Sequence, residues 1–176
     1  PLTLLVPRIR TSAATAAKNE FSCVAVICAP GLIWMRAVAP AVVERNQARL
    51  LTKLQKNRAR IESFEVERTG DAEVLVVAIG ISARAAKRAL AAAREQGIAA
   101  GLFRPITLWP FPEDALRAAA AGARAVLVPE LNAGQLVLEV ERVLRGHRVI
   151  GLNRYDGEPM TPAQIEARIG QLAREA

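Results

Sequence analysis

Cysteine, histidine and aromatic residues are all scarce in this 176-residue sequence, and each scarcity excludes something. Two cysteines, Cys23 and Cys28, cannot build a disulfide framework. Their spacing does not match a zinc site, and the single histidine, His147, completes no metal set with them. The pair reads as two buried thiols, and no metal site is expected. One histidine also leaves no Ser/His/Asp arrangement to consider. Aromatics make up 4% of the chain against 52% for hydrophobic residues as a whole. Alanine and leucine must therefore build much of the core, which favours helices laid on a sheet over an aromatic-rich all-β fold. A membrane-length apolar run is missing too. The stretch from Phe21 to Met35 is apolar, but Pro30-Gly31 interrupts it and it is too short to span a bilayer comfortably. With Arg8, Arg10 and Lys18 before it and Ala37-Val38-Ala39 after it, it faintly mimics a signal peptide. Everything downstream reads as cytosolic, so a cytoplasmic location without membrane contact is the expectation.

What the sequence does have is an uneven charge. Its net charge is +7. Residues 1–60 carry ten Lys/Arg against two Asp/Glu, a balance of +8, whereas residues 61–176 carry fourteen against fifteen, a balance of −1. The basicity belongs to the N-terminal part, which argues against nucleic-acid binding by the whole protein. The chain begins with Pro1 instead of Met, as a fragment or a trimmed product would.

Three stretches are expected. Residues 1–43 form an N-terminal extension without a clean period, punctuated by Pro7, Pro30 and Pro40, in which only Phe21 to Ala29 reads as a strand. Residues 44–70 form a basic linker helix, its helical pattern running from about 43 to 61. Leu50, Leu51, Leu54 and Ile61 fall near one face, and Arg45, Arg49, Lys53, Lys56 and Arg60 cover another. Two readings stay open for that helix: a solvated helix packed on its leucines, or a docking helix for an acidic partner. No aromatic platform interleaves the charges, so single-stranded nucleic acid is not a natural ligand.

From Asp71 to the end a regular alternation begins. Val74 to Ile79 is a continuous apolar run suited to a buried parallel strand. Ser82 is placed to cap a helix running to Gln96, and Gly97 ends it. Ile98 to Phe103 is a second strand, followed by a loop carrying Pro105, Pro110 and Pro112. A helix from Glu113 to Ala121 has acidic residues in its first turn. Ala125 to Val128, then Ala133 to Leu144, then Arg148 to Leu152 continue as strand, helix, strand. Thr161-Pro162 opens a last helix, with Thr as cap and Pro in first position. Such alternation implies right-handed crossovers and an α/β fold: a mainly parallel, Rossmann-like sheet in a three-layer arrangement.

Sheets of this kind gather polar groups at the carboxyl ends of their strands. That edge is expected to hold Ser82, Arg84, Arg104, Glu130, Asn132, Asn153, Arg154 and Asp156. The turn from Ala78 to Arg84 lacks the glycines of a dinucleotide fingerprint and the lysine of a P-loop. It reads as a capped turn, or as a weak anion or interdomain contact through Arg84. Glu130 is the best-placed carboxylate, and the expectation is an ion pair with Arg104 across neighbouring strand ends. A general acid/base role lacks a reacting group nearby. Trp109 and Phe111, flanked by prolines, read as interface or core anchors. On the residues alone this is an accessory domain without catalytic or cofactor-binding residues. Its candidate interface comprises Arg84, Arg104, Trp109, Glu130, Asn132, Arg154 and Asp156.

Four segments in order carry a resemblance: Val76 to Arg84 (VVAIGISAR), Gly101 to Pro112 (GLFRPITLWPFP), Val128 to Leu136 (VPELNAGQL) and Gly151 to Pro159 (GLNRYDGEP). Together they resemble the second, transketolase-C-terminal-like domain of the α subunit (KorA-type) of 2-oxoglutarate:ferredoxin oxidoreductases. The last segment is more similar to the 2-oxoglutarate members than to the branched-chain or pyruvate members. The resemblance covers about residues 45–165. It implies an assembly that decarboxylates a 2-oxoacid on thiamine diphosphate, passes electrons through an iron–sulfur cluster to ferredoxin, and forms an acyl-CoA with coenzyme A. It implies that the thiamine cofactor lies between the α subunit's first domain and a β subunit, and that the cluster ligands lie outside this domain. The implied partners are therefore a thiamine-binding β subunit and a first α domain that residues 1–43 do not resemble. Catalysis by the isolated chain is not expected. The alternative is a stand-alone ligand- or partner-binding domain that kept the fold without the reaction.

Overall fold

The computed structural model describes residues 21–28, 31–38 and 40–175. The chain divides into two compact units, Pro1–Lys56 and Asn57–Ala176. In the first, β1 (Phe21–Cys28) and β2 (Gly31–Val38) pair antiparallel, in register from Phe21 opposite Val38 to Cys28 opposite Gly31. The strand expected from Phe21 is therefore present, and its partner went unassigned because Gly31–Val38 is nearly all apolar and lacks a two-residue period. Residues 1–20, nearly half of the expected extension, with Arg8, Arg10 and Lys18 of its signal-like pattern, lie outside the described residues.

The basic helix differs from its expected form. It is α1 (Pro40–Lys56), starting earlier because proline suits the first helical position. It stops before Asn57, whose backbone leaves the helical region at φ −108° and ψ 9°. Leu50 and Leu51 are exposed, Leu54 is half-buried, and no residue of α1 is fully buried.

In the second unit a short helix, α2 (Arg58–Ile61), leads into β3 (Phe64–Glu67). The linker helix expected over 44–70 is thus interrupted by a strand of the sheet. Phe-Glu-Val-Glu does alternate, but four residues are too few to register as a period without their partner strand. The remaining elements are β4 (Val74–Val77), α3 (Gly80–Glu95), β5 (Ala100–Pro105), α4 (Glu113–Ala120), β6 (Ala125–Glu130), α5 (Gln135–Val143), β7 (Val149–Asn153) and α6 (Pro162–Glu175). The strands order as β3-β5-β4-β6-β7, with β3 antiparallel to β5 and the other pairs parallel. This is the mainly parallel three-layer α/β fold that the alternation implies.

The alternation of side chains along β4 makes two cores. Val74, Val76 and Ala78 pack with Ala83, Ala86, Leu90, Ile165 and Ile169 of α3 and α6. Leu75 and Val77 pack on the other face with Phe103, Leu116, Leu136 and Val140. Every residue from Val74 to Ala78 is fully buried, and each large aliphatic side chain contributes roughly 1.5–3 kcal/mol of burial free energy. Alanine lines the inner face of α3 so that the helix can lie close to the sheet. Gly101 has a separate reason: a Cβ there would stand 2.7 Å from the Arg68 carbonyl oxygen and 2.9 Å from the Ala72 Cβ.

This winding positions the functional edge. The helix after β4 covers one face and the helix after the adjacent β6 covers the other. The carboxyl ends of β4 and β6 therefore flank a topological switch point, where α/β sheets hold ligands.

Candidate functional site

Glu130 ends β6 and is 1% exposed. It shares the α4/α5 face with Val126 and Val128, four and two residues before it. Its carboxylate accepts the backbone N–H of Leu136 at 2.7 Å and of Val137 at 3.1 Å, and the Asn153 amide at 3.3 Å. Asn132 completes the same helix start, its Oδ1 accepting the N–H of Gly134 at 2.8 Å and of Gln135 at 3.0 Å. Gly134 takes φ +109°, which favours glycine and turns the chain into α5. Four amides at the start of α5, which a bare helix would leave open, are thus all taken by two side chains. Asn153 ties β7 in by also donating to the Asn132 carbonyl at 3.2 Å.

The expected ion pair between Arg104 and Glu130 does not form. The structure puts β4 between β5 and β6, so the two residues end strands that are not neighbours. Arg104 instead donates to Glu65 across the antiparallel β3–β5 pair, at 3.1 Å and 3.3 Å. The Arg104 guanidinium, and then the Lys87 ammonium, hold the Glu65 carboxyl below its ordinary range. Sequence reasoning missed Glu65 because it missed β3.

Arg154 and Asp156 do meet, at 2.7 Å and 3.0 Å, which raises the arginine's pKa and lowers the aspartate's. Arg154 also donates to the Pro159 carbonyl at 3.2 Å, so the pair braces the turn after β7. Trp109 is 75% exposed, beyond a cis peptide to Pro110, while Phe111 is buried. Exposed Ile106 and Leu108 stand in the same loop, and Phe64 and Val66 are exposed on β3. Arg84 is exposed on α3 with no ion pair among the described residues. Ser82 is not the helix cap: the helix starts at Gly80, so Ser82 lies in its first turn.

The edge therefore divides into braces and open surface. Glu130, Asn132, Asn153, Arg154 and Asp156 are consumed in holding loops. Among the described residues no group of His, Cys, Asp and Glu could hold a metal ion, and no helix is long and apolar enough to cross a membrane.

Residues 72–165 match the family model described as pyruvate:ferredoxin oxidoreductase core domain II. The chain is 46% identical over 116 residues to the 2-oxoglutarate synthase subunit KorA of Archaeoglobus fulgidus, covering 65% of this chain and 33% of the relative. It is 37% identical over 123 residues to the ketoisovalerate oxidoreductase subunit VorB of Methanothermobacter marburgensis, covering 70% and 34%. Among solved structures, the 2-oxoglutarate:ferredoxin oxidoreductase of Magnetococcus marinus superposes with a TM-score of 0.68 at 26% identity. That likeness covers 77% of this chain and 24% of the other, and 2-oxoglutarate, coenzyme A and succinyl-CoA are bound in that structure. The chain spans about a third of the length of the curated relatives it matches.

Proposed function

Because the chain belongs to the pyruvate:ferredoxin oxidoreductase core domain II family, we propose that it serves as the second domain of the α subunit of a cytoplasmic 2-oxoacid:ferredoxin oxidoreductase. The observation that carries this reading is the family match over residues 72–165; 2-oxoglutarate is favoured as the oxoacid by the relative at 46% identity, the other 2-oxoglutarate synthase subunits at 35–39% standing level with the ketoisovalerate subunits at 36–37%. In the assembled enzyme the oxoacid is decarboxylated on thiamine diphosphate, electrons pass through an iron–sulfur cluster to ferredoxin, and the acyl group leaves on coenzyme A.

The residues of this chain do not fit either resident group. Two cysteines fall short of the four thiolates that a cluster takes, and the carboxylates of the sheet edge are already committed to caps and ion pairs. Both groups therefore belong with the partners, a thiamine-binding β subunit and the first α domain. This domain's part is assembly. Phe64, Val66, Ile106, Leu108 and Trp109 supply the apolar surface that a multi-domain enzyme would cover.

Reconstitution tests the reading. The chain, combined with a β subunit and first α domain of the family, should co-elute with them. The complex should reduce ferredoxin in a manner dependent on 2-oxoglutarate and coenzyme A. Trp109→Asp should weaken co-elution, and the chain alone should show no turnover. Micromolar thiamine diphosphate binding by the chain alone, seen by calorimetry, would overturn the assignment of the cofactor to the partners.

A further inference from the structure

The sheet has two edges, and they are finished differently. At one edge, β3 carries Glu65 and Glu67, and Glu65 is tied to Arg104 and Lys87. Charged side chains on an edge strand deter another strand from adding to it. At the other edge, β7 runs Val-Ile-Gly-Leu-Asn, without a charge or a proline. Nothing in its sequence guards its free side.

That side presents unspent backbone groups. In a parallel pair, alternate residues turn both their N–H and their C=O toward the same neighbour. The Arg148 carbonyl accepts from the Val126 N–H, and the Arg154 N–H donates to the Glu130 carbonyl. Arg148, Ile150, Leu152 and Arg154 therefore face β6, and Val149, Gly151 and Asn153 turn their backbone groups outward. No hydrogen bond among the described residues takes those groups.

A groove of about 530 Å³ lies along this strand. It follows from where the helices sit. α5 packs on one face of β7, whereas α6 packs on α3, β4 and β6 and leaves the other face of β7 half-buried. Leu152 and Met160 give the groove an apolar floor. Gln164, Ala167, Arg168 and Gln171, spaced to share one side of α6, form its wall. An open strand edge facing one stripe of a helix is a layout that holds an extended peptide as an added strand.

Charge selects the occupant. The charged residues lining the groove are both arginines, Arg154 and Arg168. Arg154 is held by Asp156 and by the Pro159 carbonyl, which stiffens the rim. Arg168 is half-buried and makes no hydrogen bond or ion pair among the described residues; the charge of Glu175, seven residues on, reaches it only at longer range. A second copy of this chain is the poorer fit. Pairing β7 with itself about a two-fold axis at Gly151 sets Arg148 of each copy against Arg154 of the other, like charges at both ends.

We propose that β7 and α6 form a docking groove for an extended, acidic peptide segment of a partner protein. The segment adds to the sheet beside β7, its backbone bonding with Val149, Gly151 and Asn153. One of its apolar side chains sits over Leu152 and Met160, and a carboxylate two residues away meets Arg168. This edge lies opposite the one that carries Phe64 and Val66, so the groove does not rest on the reading of the chain as an oxidoreductase domain.

The test is a titration of the full 15N-labelled chain with three end-blocked peptides, followed by amide NMR shifts. The first is Thr-Val-Thr-Glu-Thr, whose valine and glutamate share a face when extended. The second has lysine for glutamate. The third is the acidic peptide N-methylated at every residue, which cannot pair as a strand. Saturable shifts centred on Val149, Gly151 and Asn153 are expected with the acidic peptide, with binding about tenfold weaker for the lysine peptide and none for the methylated one. Arg168→Glu should reverse the preference between the first two. Ala167→Trp, a bulky side chain at an exposed position of the wall, should abolish binding without lowering the thermal midpoint. Shifts that do not saturate or that centre elsewhere, equal binding of the acidic and lysine peptides, or undiminished binding of the methylated peptide would overturn the proposal. A dimer in sedimentation, with the same amides shifting on dilution in the absence of peptide, would assign the groove to a second copy and overturn the peptide assignment.

Discussion

Two helices leave adjacent parallel strands at the same edge of the sheet, and their first turns are finished in opposite ways. At α5, Glu130 and Asn132 accept hydrogen bonds from the first four amides, and Asn153 locks the arrangement to β7. At α3, the first three amides and the hydroxyl of Ser82 have no partner among the described residues. One start is closed by the protein itself and the other is left for solvent. The contrast teaches that polar residues gathered at a strand edge do not by their presence make a site. Most of those here brace loops, and the available donors belong to residues with little polar character of their own.

Glu130→Ala would break the contrast most severely. It leaves two amides of α5 without their acceptor in a site closed to water, and unfolding in urea should show a loss of about 3 kcal/mol. A loss below about 1 kcal/mol would mean that water enters and α5 starts no differently from α3. Asn132→Ala removes a more exposed cap and should cost about 1 kcal/mol in the same measurement.

A third start, that of α4, carries Glu113 and Asp114 in its first turn. The Arg142 guanidinium, and then that of Arg117, hold the Glu113 carboxyl below the usual glutamate range. A carboxyl whose pKa is lower when folded stabilises the fold above its unfolded pKa, and that contribution disappears as pH falls through the folded value. Arg142→Ala should raise the Glu113 midpoint in a carboxyl 13C titration and shrink the stability lost in acid. An unmoved midpoint would show that Arg142 is not the main cause.

At α3 the expected stability effect is small. Ser82→Ala removes a hydroxyl that bonds to nothing and introduces a better helix former, so stability should hold or rise by up to about 0.5 kcal/mol. A loss above about 1 kcal/mol would reveal a hidden partner and close the contrast from the other side. The smallest effect is a coupling of zero. Arg104→Ala and Glu130→Ala should add to within about 0.5 kcal/mol, since β4 separates their strands.

The individual elements from Val74 onward were legible because each is strongly patterned. The apolar run of β4, the alanine stripe of α3 and the Thr161-Pro162 start of α6 are local signals. The Thr161 amide donates to the Gln164 side chain at 2.9 Å, and the Gln164 amide returns the bond to the Thr161 hydroxyl at 3.3 Å. β3 was not legible, because four alternating residues become a strand only when β5 offers its edge. Among the site residues, the Arg154–Asp156 pair was within reach, two residues apart on one turn. The partners of Arg104 and Glu130 were not, since both depend on strand order.

The sequence by itself determined the fold class, the face each β4 residue presents, and the placement of polar groups at the strand ends. Period and burial are local properties, readable wherever apolar residues recur at two or at three to four. Only the tertiary structure decided which strand ends are neighbours, and hence that Glu130 caps a helix while Arg104 pairs with Glu65. The physical reason is that the parallel strands are joined through helices. Whether a crossover carries the chain to one side of the sheet or the other depends on which pair of cores, above and below, buries the most apolar surface together. No single segment carries that choice. It also decided that the first turn of α3 stays open, a matter of what the neighbouring strand ends leave unfilled.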